Sequence, residues 1–282
     1  MVRLLLPLFV LAAVTGSAAP PAASVLSITR PTLHYKQEDG PAISEGYEYL
    51  AGQLLHYSFR VSGFRVQKDK VDLRWLVVAV DPEGRLLVPA ANGAIREDVS
   101  DNDKEWLPKV QQTIPLPAQL QPGVYKIKLR VTDEFAATSV EKEIEFRVGG
   151  RQLPEAKSLS ILNLRFLKAE SDRQALEPAV YRVGETLIAK FELVGFQLGE
   201  KNRFEVEYGM SILSKSGEEL YAQPNAAGDT GAPFYPQRLF IGALTLNLTE
   251  AVQPAEYTLV VKARDLAGKT EIESRSSFRV EK

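Results

Sequence analysis

Cysteine is absent from this chain of 282 residues. Its absence excludes disulfide staples, thiolate nucleophiles and every zinc signature built on sulfur, and it removes the lipobox cysteine through which an exported protein can carry a lipid anchor. The fold has to hold by apolar packing. Histidine is nearly as scarce: there are two, His34 and His56, and neither has a partner at metal-ligand spacing. His56 lies between Leu55 and Tyr57 in strand-like alternation, where an outward-facing sheet residue is expected. No Ser/His/Asp arrangement recurs along the chain and no cofactor or metal motif is present, so the expectation is a non-enzyme without cofactors. Charge of one sign is also lacking. The 34 Lys and Arg against 36 Asp and Glu leave a net charge of −2, which is not the basic footprint that nucleic acid requires.

Long apolar runs are missing beyond the N-terminus. The run Leu4 to Val14 follows Arg3 and precedes the small residues Thr15-Gly-Ser-Ala-Ala19. It falls short of the roughly 20 residues of a membrane span, so residues 1–19 read as a secretory signal peptide. Pro20 follows Ala19, which keeps cleavage after Ala18 or near Ala22 open, and an uncleaved anchor is the alternative. The expected destination is periplasmic or secreted, with no membrane span in the mature chain.

What the sequence does contain is a duplication. Tyr49-Leu-Ala-Gly52, Phe59 and Gly63-Phe64 return as Tyr181-Arg-Val-Gly184, Phe191 and Gly195-Phe196, all displaced by 132 positions. Leu120-Gln-Pro-Gly-Val-Tyr125 returns as Val252-Gln-Pro-Ala-Glu-Tyr257, and Phe146-Arg-Val148 as Phe278-Arg-Val280, at the same displacement. Persistence of one period over the whole length marks an inherited repeat. It divides the chain into a first domain at 25–148, a linker at 149–157 and a second domain at 158–282.

Period-two alternation recurs every ten to twenty residues, and no stretch carries the i, i+3, i+4 spacing of a helix. In the first copy it predicts strands at 25–35, 53–62, 71–81, 85–89, 111–117, 124–132 and 139–148. One apolar and one polar face per strand is the mark of antiparallel sheets packed face to face. The fold class is therefore all-β, with two tandem immunoglobulin-like antiparallel β-sandwiches after a signal peptide. Pro115 and Pro117 place their strand at a sheet edge, because proline cannot donate to the ladder.

The Tyr-x-x-Gly-x-x-Leu opening, the later Pro-x-x-Tyr and the closing Phe-Arg-Val resemble exported bacterial immunoglobulin-like modules, with the strand grammar of fibronectin type III and macroglobulin-type domains. The resemblance covers nearly all of both copies. It implies a sandwich fold, and by itself it assigns no function, since function resides in sites grafted onto such folds.

Two long connections, from Leu87 to Gln111 and from Leu220 to Ile241, end near aromatics, and long loops often carry recognition. Trp106, Phe234 and Tyr235 are accordingly the candidate partner-binding residues, the alternative being that they fold back onto their own sandwich. The acidic stretch Glu97 to Glu105 has oxygen ligands at alternating positions but not the EF-hand pattern, which leaves calcium open. Asp133 and Asp265, matched between the copies, read as turn-closing residues. The expected function is a non-enzymatic binding or scaffolding protein that contacts an envelope or extracellular protein or polysaccharide through sandwich loops or sheet edges. The alternative is a periplasmic chaperone or assembly factor, because pilus chaperones also pair two such sandwiches. Those proteins hold a subunit carboxylate with basic residues in the interdomain cleft, and no matching motif occurs near Arg151 or Lys157.

Overall fold

The computed structural model describes residues 25–100, 103 and 105–282; the expected signal peptide lies outside them. The chain forms β1 (Ser27–His34), β2 (Glu48–Leu50), β3 (Leu54–Ser62), β4 (Lys70–Val80), β5 (Ala91–Asp98), β6 (Lys109–Pro115), β7 (Gly123–Asp133) and β8 (Thr138–Gly149). The second copy repeats the set as β9 (Ser160–Leu167), β10 (Val180–Arg182), β11 (Thr186–Val194), β12 (Phe204–Ser214), β13 (Glu219–Gly231), β14 (Leu239–Asn247), β15 (Ala255–Asp265) and β16 (Thr270–Glu281). No α-helix occurs among the described residues. In each copy a three-stranded sheet, β1-β3-β6 or β14-β11-β9, faces a five-stranded one, β2-β8-β7-β4-β5 or β10-β16-β15-β12-β13. Pairing is antiparallel except where the three-residue β2 and β10 lie parallel to β8 and β16.

Alternation sorts side chains by face. Leu55, Tyr57, Phe59 and Val61 of β3 are buried in the first core, as are Leu187, Phe191 and Leu193 of β11 in the second. Each fully buried Leu, Phe or Tyr side chain contributes on the order of 1.5–3 kcal/mol, which is how two cores without disulfides hold together. The same aromatic set recurs: Tyr125 stacks on Phe146 at 5.6 Å and Tyr257 on Phe278 at 5.5 Å, with Tyr49 and Tyr181 edge-on to the same two phenylalanines.

The repeated polar residues explain themselves as well. Tyr125 donates to the Gln121 carbonyl at 2.7 Å and Tyr257 to the Gln253 carbonyl at 2.6 Å, the tyrosine corner of immunoglobulin-like sandwiches. Gly63 and Gly195 sit at φ of +71° and +74°, and a Cβ at either would collide with a backbone carbonyl, that of Val25 or of Ser158; only glycine fits both demands. Asp133 and Asp265 are buried. Asp133 accepts from the turn amides of Phe135 and Ala136 and from the Arg65 amide across the sandwich, while Asp265 accepts from Gly268 and Gln197 in the same way. They do more than close a hairpin, since each ties it to the bend that follows Gly63 or Gly195.

Three strand expectations are corrected. The strand expected at 85–89 is instead β5 at Ala91–Asp98, and the expected seven strands per copy are eight, β2 and β10 being the additions. The two long connections also contain strands, β5 and β13, leaving loops of only 99–108 and 232–238. Both strands escape a pattern search because they overhang the smaller opposing sheet and carry small residues where a core residue would stand. Gly93 lies under the Trp75 ring and Gly231 under Phe204, with no room for a Cβ at either. The edge position expected from Pro115 is observed, since β6 pairs only with β3.

Candidate interaction site at the domain junction

β4 runs 11 residues from Lys70 to Val80, about 35 Å at the usual rise of a strand, and the candidate aromatics fall at its two ends. Near its start, the loop after β5 carries Trp106, half-buried and edge-on to Phe64 at 6.0 Å. The loop is held there by Arg60 Nη1 donating to the Leu107 carbonyl at 2.8 Å and by the Val61 amide donating to Pro108. Trp106 thus leans on its own sandwich. The equivalent loop of the second copy, after β13, lies at the other end of β4, against the first domain.

There the turn Asp81-Pro-Glu-Gly84-Arg85 places one carboxylate in a dense set of donors. Asp81 accepts from the backbone amides of Glu83 and Arg85 at 3.0 and 2.8 Å and from Arg85 Nε at 2.8 Å. The Tyr235 hydroxyl, 154 residues away in sequence, completes the set at 3.0 Å. Burial pushes the Asp81 carboxyl up, but the hydrogen bonds from Arg85 and Tyr235 outweigh it and leave it below the ordinary value. Burial, followed by the Asp81 charge, pushes the Tyr235 phenol up, so it keeps its proton as donor. A second clamp lies beside this one: Gln119 Nε2 donates to the Leu239 carbonyl at 2.6 Å, and Gln119 Oε1 accepts from the amides of Arg238 and Leu239. The linker is fixed on both sides, with the Leu153 amide donating to Gln121 and Arg151 forming a fork with Glu192.

Phe234 differs from its neighbour. Its ring is 52% exposed, and the Pro233 and Phe234 carbonyls accept from Asn202, which fixes the backbone beneath it. The three candidates therefore do not converge: Trp106 lies at the far end of the first domain, Tyr235 is engaged inside the molecule, and Phe234 presents an aromatic surface beside the junction.

Below these contacts runs a groove of about 570 Å³ between the domains, walled by Tyr125, Leu153, Phe196 and Tyr235 and edged by Arg238 and Lys157. Neither of those cations forms an ion pair among the described residues, whereas Arg85 at the same groove is taken by Asp81 and Glu83. No sequence motif marks the groove, because its walls come from both copies and the linker.

The remaining polar features bind the molecule to itself. Both histidines lie on the outer face of the β1-β3-β6 sheet, as expected for His56, which is nonetheless only 8% exposed because the loop 35–41 bonds across that face. His34 Nε2 lies 2.7 Å from Ser58 Oγ, and its Nδ1 donates to the Gly40 carbonyl. His56 Nδ1 bonds Thr113, whose hydroxyl donates to Glu38. A Ser–His contact without an aligned carboxylate, on a buried serine, anchors a loop and does not form a triad. In the acidic stretch Asp103 accepts from the Ser100 amide and hydroxyl; Asp101, Asn102 and Lys104 lie outside the described residues. No metal-binding cluster occurs among the described residues.

No protein-family model matches the chain, and no curated protein does. Two solved structures align over most of it at 10% identity. One is red sea bream transglutaminase, aligned over 93% of this chain with a TM-score of 0.28; the chain spans 32% of that protein's length. The other is the C-terminal domain of the AgI/II polypeptide BspA of Streptococcus agalactiae, aligned over 91% of this chain and all of that domain with a TM-score of 0.29. At those scores neither carries an argument about this chain. Its immunoglobulin-like character rests on its own strand order and tyrosine corners. No helix among the described residues is long and apolar enough to cross a membrane.

Proposed function

We propose that this chain is a non-enzymatic, exported binding or scaffolding protein that holds an envelope or extracellular partner through its loops, with Phe234 and Trp106 as contact residues. The observation that carries this reading is the division of labour at the junction. Tyr235, Asp81 and Gln119 fix one domain on the other, while Phe234 remains largely exposed on a backbone fixed by Asn202. A large aromatic held in place and left uncovered loses little entropy when a partner buries it. Trp106, half-exposed at the far end of the first domain, gives a second contact. The test is affinity capture from the envelope fraction with wild-type, Phe234→Ala and Trp106→Ala proteins. Loss of one abundant partner is expected with each variant, with an unchanged melting temperature for Phe234→Ala; identical captures would overturn the assignment of these two residues.

One observation favours a second reading, that of a periplasmic chaperone or assembly factor. Arg238 and Lys157 line the interdomain groove without acidic partners, the disposition that would suit a client's carboxylate. Under that reading Arg238→Ala with Lys157→Ala abolishes binding of the client's C-terminal peptide, and amidation of the peptide has the same effect.

A further inference from the structure

The two copies differ at one pair of facing strand positions. In β11 and β14 the residues Ala189 and Leu244 stand directly opposite one another and are buried. Their counterparts in β3 and β6, again directly opposite, are Tyr57 and Gln112. The first domain thus places a phenol and a carboxamide where its sister places two hydrocarbon side chains. The Tyr57 hydroxyl is buried and has no hydrogen-bond partner among the described residues, and no hydrogen bond engages the half-buried Gln112 amide. Buried polar groups are nearly always satisfied, so an orphan in a well-packed core calls for an explanation.

Tyr57 and Gln112 also line a pocket of about 270 Å³ that opens between β6 and the segment leading into β5. Apart from Thr113 the other walls are apolar and come from both sheets, among them Val77 and Ala79 of β4, Val88 and Pro89 before β5, and Ile114 of β6. The volume exceeds the roughly 150 Å³ cavity that accepts benzene, and apolar walls with a few placed polar groups are the general character of small-ligand sites. We propose that this pocket binds a small aromatic or alicyclic compound bearing a carbonyl or hydroxyl oxygen. The hydrocarbon part is taken by the apolar walls, Gln112 hydrogen-bonds the oxygen, and Tyr57 donates to it. Tyr57 and Gln112 are register partners on neighbouring strands, which puts both polar groups on the same face of the sheet beside the pocket. This function is independent of partner binding at the junction, which lies at the end of the sandwich and uses other residues.

The test is an amide NMR titration of the full mature chain with acetophenone, phenol and, as an apolar control, toluene. The expected result is saturable shifts for Val88, Ala91, Thr113 and Ile114, with the equivalent Thr245 and Leu246 of the second domain unmoved as an internal reference. Gln112→Leu, which installs the sister domain's residue, should abolish the preference for acetophenone and phenol over toluene without lowering the melting temperature. Tyr57→Phe should weaken acetophenone about tenfold, the worth of one hydrogen bond, and leave toluene unchanged. No saturable shift at those four amides, or an undiminished preference in Gln112→Leu, would overturn the proposal.

Discussion

Replacing Tyr235 with Phe removes one oxygen atom from the second domain, and its effect should appear in the first. Both tryptophans of the chain, Trp75 and Trp106, belong to the first domain, so tryptophan fluorescence reports its unfolding alone. The Tyr235 ring packs against the first core and is retained by Phe; what is lost is one hydrogen bond to a carboxylate. Such bonds contribute about 1.5–3 kcal/mol. Asp81 keeps its three bonds from Glu83 and Arg85 in the variant, so the lower figure of about 1.5 kcal/mol applies. For a domain of this size that lowers the fluorescence-detected melting temperature by about 5 °C. In an Asp81→Ala background the acceptor is already gone, and adding Tyr235→Phe should cost almost nothing further, giving a coupling of about 1.5 kcal/mol in a double-mutant cycle.

The pH dependence has a definite sign. Asp81 is held below its ordinary value of 3.8 in the folded state, so the bond's contribution is complete above about pH 4 and is lost as the pH falls through the lower folded value. The difference between wild type and Tyr235→Phe should be constant from pH 7 to about pH 4 and close below that. If Tyr235→Phe leaves the tryptophan melt where it was at pH 7, the Tyr235–Asp81 bond contributes nothing to the first domain's stability and the reasoning fails.

Gly63→Ala and Gly195→Ala force a Cβ into a carbonyl at a left-handed φ. Each should lower its own domain's stability by 2 kcal/mol or more by denaturant titration, strain and overpacking acting together. Tyr125→Phe and Tyr257→Phe should each cost about 1 kcal/mol, the net worth of one hydrogen bond, with equal effects in the two domains because the corners are built alike. Gly93→Ala drives a methyl group into the Trp75 ring and should lower stability by about 1–3 kcal/mol with a change in tryptophan emission; an unchanged emission spectrum would show that the ring has room to move.

Much of the fold is legible in the sequence because alternation at period two records which face of a strand is buried, and the duplication supplies two independent records of each strand. Strands β3, β4, β7 and β8 and their copies have full opposing sheets above them, so Leu55 or Val261 had to be apolar. The edge strands β5 and β13 are mostly exposed, with only a few residues such as Ala91, Ile95 and Ala226 reaching a core, so the strand at Ala91–Asp98 reads as loop. The burial of His56 goes unmarked for a related reason. It lies on the outward face, as its register requires, but a loop rather than a strand covers it, and coverage by a loop leaves no periodic trace. The junction is illegible on a different ground. Asp81 and Tyr235 are ordinary turn and loop residues until the chain brings them within 3.0 Å.

The duplication nonetheless contains a guide to function that operates by contrast. The turn at Asp81 recurs at Ser214 with the same backbone bonds: the amides of Asp81 and Ser214 donate to the carbonyls of Arg85 and Glu218, and Gly84 and Gly217 close both turns. A serine hydroxyl suffices to cap that turn, as Ser214 does for the Glu218 amide. A carboxylate adds a second oxygen, and in Asp81 that oxygen receives Arg85 and Tyr235. Gln119 likewise stands where the second copy has Ala251, and the Tyr57 and Gln112 pair stands where it has Ala189 and Leu244. Positions kept alike since the copies parted, such as Gly63, Asp133 and Tyr125, are accounted for by the demands of one sandwich. The departures at Asp81, Gln119, Tyr57 and Gln112 are not demanded by that sandwich, since the sister domain folds without them. Two of them join the domains, and the other two line a pocket, so the polar groups peculiar to the first copy stand where the repeat breaks.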